Sequence, residues 1–64
     1  MNPLRIIDYI REHNLTKSEF CQMCNISIKL LDDIIYYGKD VDFSIAERIS
    51  KAINIGVYYL YTYG

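Results

Sequence analysis

The chain is 64 residues long, 52% hydrophobic and 23% charged, with a formal net charge of −1. That length holds one domain and no second core, while the apolar content and near-balanced charge argue against disorder. A domain this small hides only about 60% of the surface its unfolded form exposes, so idealised helix packing or an oligomeric partner is expected to supplement the core. No apolar run approaches the roughly 18 residues of a membrane span. Asp8 and Arg11 interrupt the opening segment where a signal peptide would stay apolar. The only cysteines, Cys21 and Cys24, cannot build the multi-bridge framework of a small secreted domain. A cytoplasmic protein without membrane attachment is therefore expected.

Helix start and stop signals divide the chain. Asn2-Pro3 places a capping residue before a proline at the first helical position, Leu4, Ile7 and Ile10 recur at helical spacing, and His13-Asn14 ends the segment, which predicts a first helix over 3–13. Thr16-Lys17-Ser18-Glu19 matches a capping box, with Leu15 and Phe20 at the positions of a hydrophobic staple. The second helix turns Phe20, Cys21 and Cys24 inward and stops at Asn25, a residue tolerant of positive φ. Ser27 caps a third helix, and Ile26 and Leu31 repeat the staple. Leu31, Ile34 and Ile35 form its inner side, with Ile28, Lys29, Asp32, Asp33 and Tyr36 largely on the other, and Gly38 ends it. Asp42 or Ser44 caps a fourth helix with an expected buried stripe of Phe43, Ala46, Ile49 and Ile53, stopped by Asn54. A short fifth helix is expected near Val57 to Tyr61, in a tail rich in tyrosine.

These elements predict an all-α bundle of four to five short helices around Leu4, Ile7, Phe20, Cys21, Cys24, Leu31, Ile34, Ile49 and Ile53. The second and third helices, joined through Cys24-Asn25-Ile26-Ser27, have the form of a helix-turn-helix unit over about 16–37. The stretch from Leu15 to Ser27 resembles the Cro/lambda-repressor-type family of helix-turn-helix DNA-binding domains. Apolar Phe20 and Cys24, small Cys21, turn residue Asn25, apolar Ile26 and cap Ser27 stand where that family places equivalents. Gly38-Lys39, Ile49, Lys51-Ala52-Ile53 and Leu60 extend the likeness to roughly residues 4 to 60. Asn25 stands where glycine is usual in the family.

The resemblance implies a lambda-repressor-like fold and a sequence-specific transcription regulator, most simply a repressor, while the bias toward isoleucine and tyrosine over alanine points to an AT-rich bacterial or phage genome. It implies that the third helix enters the major groove of double-stranded DNA, with Ile28, Lys29 and Asp32 or Asp33 as readers and Tyr36 on the same face. Lys17 and Ser18 at the start of the second helix, Ser27 and Lys39 would hold phosphates. Because Asp32 and Asp33 would face a polyanion and Lys29 is the only basic residue of the third helix, a monomer is expected to bind poorly. A homodimer reading a palindromic operator with half-sites about 34 Å apart answers that weakness. Val57, Tyr58, Tyr59, Leu60, Tyr61 and Tyr63 supply the expected dimer surface.

Other chemistry finds less support in the residues. Cys21-x-x-Cys24 has only His13 as a further soft donor and lacks the second cysteine pair of a zinc site, so both cysteines are expected in the core and no metal or cofactor is expected. Neither a nucleophile motif around His13 nor a glycine-rich phosphate loop is present, and Asp32-Asp33 and Asp40-x-Asp42 lack a calcium-loop pattern, so no enzyme is expected. A second reading keeps the same fold as a protein-interaction module, an antirepressor or accessory subunit that binds a protein partner through the tyrosine-rich tail. Acidic residues on the third helix and the negative net charge motivate it.

Overall fold

The computed structural model describes residues 1–62, which form α1 (Leu4–Glu12), α2 (Lys17–Cys24), α3 (Ile28–Tyr37), α4 (Phe43–Ile53) and α5 (Val57–Leu60). No strand occurs among the described residues, and the all-α class expected from the sequence is observed. Asn2 Oδ1 accepts the Leu4 N–H at 3.0 Å while Pro3 already has helical angles, so the Asn-Pro pair starts α1 as its residue types require.

Three helix ends share one construction. Asn14, Asn25 and Asn54 adopt φ of 54°, 56° and 59°. Each donates its N–H to the carbonyl three residues back, and the next residue donates to the carbonyl five back: Leu15 to Ile10, Ile26 to Cys21 and Ile55 to Ser50, all at 3.0 Å. These are Schellman motifs, which satisfy carbonyls that a helix end leaves bare. Asparagine serves because its short polar side chain tolerates the left-handed region that Cβ sterics close to most residues. The aliphatic residue after each asparagine packs against the core. Gly38, at φ 61°, ends α3 with a wider closure in which Lys39 donates to Asp33 at 3.2 Å.

The core gathers Ile6, Phe20, Cys24, Leu31, Ile34, Ala46, Ile49 and Leu60, with Met1, Cys21 and Ile53 at its edge. α2 packs on α3 and α4, while α5 packs on α4 and α1. The Asn2 N–H donates to the Leu60 carbonyl at 3.2 Å, tying the segment before α1 to the last helix.

Three expected core positions are corrected. In α1 the buried residue is Ile6, Ile7 is only half-buried and Leu4 is 45% exposed. Ile6 with Tyr9 and Ile10 also satisfies the three-and-four spacing, so adjacent isoleucines admit two phases and packing selects the one that meets α5. Phe43 opens α4 and remains 66% exposed; the inward stripe there is Ala46, Ile49, Ser50 and Ile53. Ser50 is tolerated inside because its hydroxyl donates to the Glu47 carbonyl at 2.9 Å.

Among the described residues no helix is long and apolar enough to cross a membrane. The register of α1 is tested by truncation. Ile6→Ala is expected to destabilise the fold by about 2–5 kcal/mol, whereas Leu4→Ala stays within about 1 kcal/mol. Urea unfolding of the two variants measures both, and the reverse order would restore the Leu4 register.

Candidate nucleic-acid interface

The α2–α3 pair is held by bonds that the local sequence dictates. At the start of α2, Thr16 Oγ1 accepts the Glu19 N–H at 3.1 Å and Glu19 Oε1 accepts the Thr16 N–H at 2.8 Å, closing the expected capping box. The Glu19 carboxylate thus occupies part of the helix end where a phosphate was expected. Ser18 is exposed in the same turn.

The connection between the helices is fixed from three sides. Asn25 takes the left-handed turn, Cys21 Sγ donates to the Ser27 carbonyl at 3.6 Å, and Ser27 Oγ accepts the Leu30 N–H at 3.1 Å as the cap of α3. From α4, Arg48 Nη1 donates to the Asn25 carbonyl at 3.2 Å. That guanidinium serves the C-terminal end of α2, where a cation meets the negative end of the helix dipole. A residue 23 positions downstream carries no local signal of this role.

Along α3, Leu31 and Ile34 are buried, and Ile28, Lys29 and Tyr36 are exposed, as the helical periodicity predicts. Asp32 and Asp33 are half-buried at the flanks of that exposed face and are engaged by lysines. Lys17 Nζ donates to Asp32 Oδ1 at 2.7 Å and to the Tyr36 hydroxyl at 3.0 Å, with the ammonium 4.8 Å from the Tyr36 ring centroid. Lys29 and Lys39 share Asp33 Oδ2, at 3.2 and 3.8 Å. Hydrogen bonds to Asp32 and then Tyr36 hold the Lys17 ammonium above the usual lysine range. The three lysines proposed from the sequence therefore converge on α3 from α2, from α3 itself and from the following loop. The pairing of Lys17 with Asp32, 15 residues apart, had no sequence signal because helix packing sets it, whereas Lys29 and Asp33 are i,i+4 neighbours on one helix.

Both cysteines are buried. Burial pushes the Cys21 thiol up, and that of Cys24 from an ordinary 9.0 to about 11. Neither is poised as a nucleophile.

The tail divides. Leu60 is fully buried, because α5 must close the core between α4 and α1, so it is removed from the expected dimer surface. Val57 is half-buried against that core. Tyr58, Tyr59 and Tyr61 remain exposed, the first at 71%. Tyr58 and Tyr59 meet edge to face at 5.5 Å, and Arg5 stacks over Tyr59 at 5.6 Å. Tyr63, also expected on that surface, lies outside the described residues. A further feature had no sequence signal: an open groove of about 380 Å³ lined by Ile7, Ile10, Arg11, Asn14, Leu15, Lys17 and Ile35. Comparison with family models, curated proteins and solved structures returns no match for this chain.

Cys24 sets an alkaline limit on stability. With a folded value near 11 against an ordinary 9.0, the folded thiol keeps its proton where the unfolded one has lost it. Stability governed by this group is thus flat below about pH 8 and falls as pH rises from 9 to 11. Lys17, raised through its pairing, adds a loss only above its ordinary 10.5. Denaturant midpoints across pH 7–11 should fall less steeply from pH 9 to 10.5 in Cys24→Ala than in the parent; parallel curves would assign the loss elsewhere.

Proposed function

We propose that the chain is a sequence-specific DNA-binding transcription regulator, a small homodimeric repressor that reads the major groove with α3. In this reading α2, the Asn25–Ser27 connection and α3 act as a helix-turn-helix. The observation that carries it is the convergence of Lys17, Lys29 and Lys39 around the exposed face of a helix whose cap and preceding turn are rigidly held. Ile28 can contact a thymine methyl, Lys29 can donate to guanine O6 and N7, and the lysines at the flanks are within reach of phosphates.

Each chain offers a single α3, so in this reading two copies are needed to meet two half-sites about 34 Å apart. α5 offers a surface that leaves α3 free, since it packs on α4 and α1 and turns Tyr58, Tyr59 and Tyr61 outward. A second reading, an interaction module that binds a protein partner, is favoured by the same exposed tyrosines and by the internal neutralisation of the lysines.

Selection from a randomised duplex pool at low and then near-physiological salt is expected to enrich a palindrome with half-sites about one helical turn apart. Lys29 is 85% exposed, so Lys29→Gln should cost the fold little while weakening binding to the enriched site at least tenfold. No enrichment at either salt would turn the assignment to the protein-binding module. Independently, Tyr58→Ser with Tyr59→Ser should shift sedimentation from dimer to monomer with the melting temperature little changed. A dimer that survives both changes would exclude α5 as its surface.

A further inference from the structure

Three lysines and two aspartates meet on the α3 face, so the set carries a net charge of only +1 although the DNA-binding reading sets each lysine against a polyanion. Asp33 is central: its side chain is 21% exposed and one of its oxygens serves both Lys29 and Lys39. The lysine side chains are far more open, at 85% and 54%, so they can swing away while the carboxylate stays. A phosphate that recruits either lysine must therefore displace Asp33 and then remain close to it. Asp32 imposes the same exchange on Lys17, which the Tyr36 hydroxyl and ring hold in place.

We propose that Asp32 and Asp33 are specificity-determining residues that act as built-in counter-ions, suppressing attachment to arbitrary duplex so that stable binding requires the base contacts of α3. This rests on the DNA-binding reading above and adds what that reading lacks, a reason for acidic groups on the reading helix. Sequence-independent affinity grows with the number of phosphates neutralised and falls with salt at a slope of about −0.9 per phosphate. A face that must surrender its own carboxylates gains little from backbone contact, whereas a matched base that accepts from Lys29, or donates to an aspartate as cytosine N4 does, lowers the cost of the exchange. Discrimination rises because the indiscriminate contribution is held down.

Fluorescence anisotropy with a labelled duplex of arbitrary sequence, alongside the selected operator, tests this with Asp33→Asn. The variant is expected to bind arbitrary duplex about tenfold tighter at low salt, to steepen the salt slope by about 1 per protomer, and to narrow the ratio between operator and arbitrary sequence. Adding Lys29→Gln and Lys39→Gln should cancel the gain, and Glu12→Gln, an equal change of charge at the exposed end of α1, should reproduce little of it. Asp32→Asn, which frees Lys17 alone, should steepen the slope by about 1 and serves if Asp33→Asn fails to fold. An operator-binding parent whose aspartate variants leave arbitrary binding unchanged would overturn the proposal and leave the DNA-binding reading intact. Absence of duplex binding by parent and variants alike would overturn both.

Discussion

Helices of four to eleven residues are too short to be stable alone, and in this chain five of them share one core because the chain reverses sharply after each of the first four. The constraint on which everything else rests is the left-handed residue at those reversals. At three of them an asparagine closes the helix and hands the chain to an aliphatic residue that enters the core. The same closure thus spends no residues on a long loop and adds apolar contact at each corner, which is how a domain with little interior can still be well filled.

Much of the fold was legible because its signals are local. Thr16 with Glu19, Ser27, Gly38 and the three asparagines each act within a few residues of themselves, and sequence alone identifies them. What was not legible depends on rotation or distance. Ile6 and Ile7 are neighbours of equal hydropathy, and only contact with other helices decides which turns inward. Leu60 reads as one more apolar residue in a tyrosine-rich tail until α5 docks and buries it.

The candidate site divides along the same line. Exposure of Ile28, Lys29 and Tyr36 follows from helical periodicity, so the outward face could be read in advance. The partners drawn from other helices could not, because the Lys17 contact with Asp32 and the Arg48 contact with Asn25 are set by packing, whereas the Lys29 pairing with Asp33 is local to α3. Arg48 and Asp32 thereby couple the turn and α3 to the rest of the bundle. Individually such exposed pairs contribute little to stability; their effect is on which groups are available to an approaching ligand.

The hydrogen bond from Asn2 to Leu60 closes a loop of nearly the whole chain. Among the described residues its formation closes the longest loop, whereas the asparagine-ended turns join residues only five apart. Loop-closure entropy therefore favours forming the turns before this clasp. Tyr58 and Tyr59 reach their final arrangement only when α5 has docked, so the tyrosine surface is absent from partly folded chains. Assembly through it would be reserved for chains that have finished folding, and unfinished ones would be kept from pairing with one another.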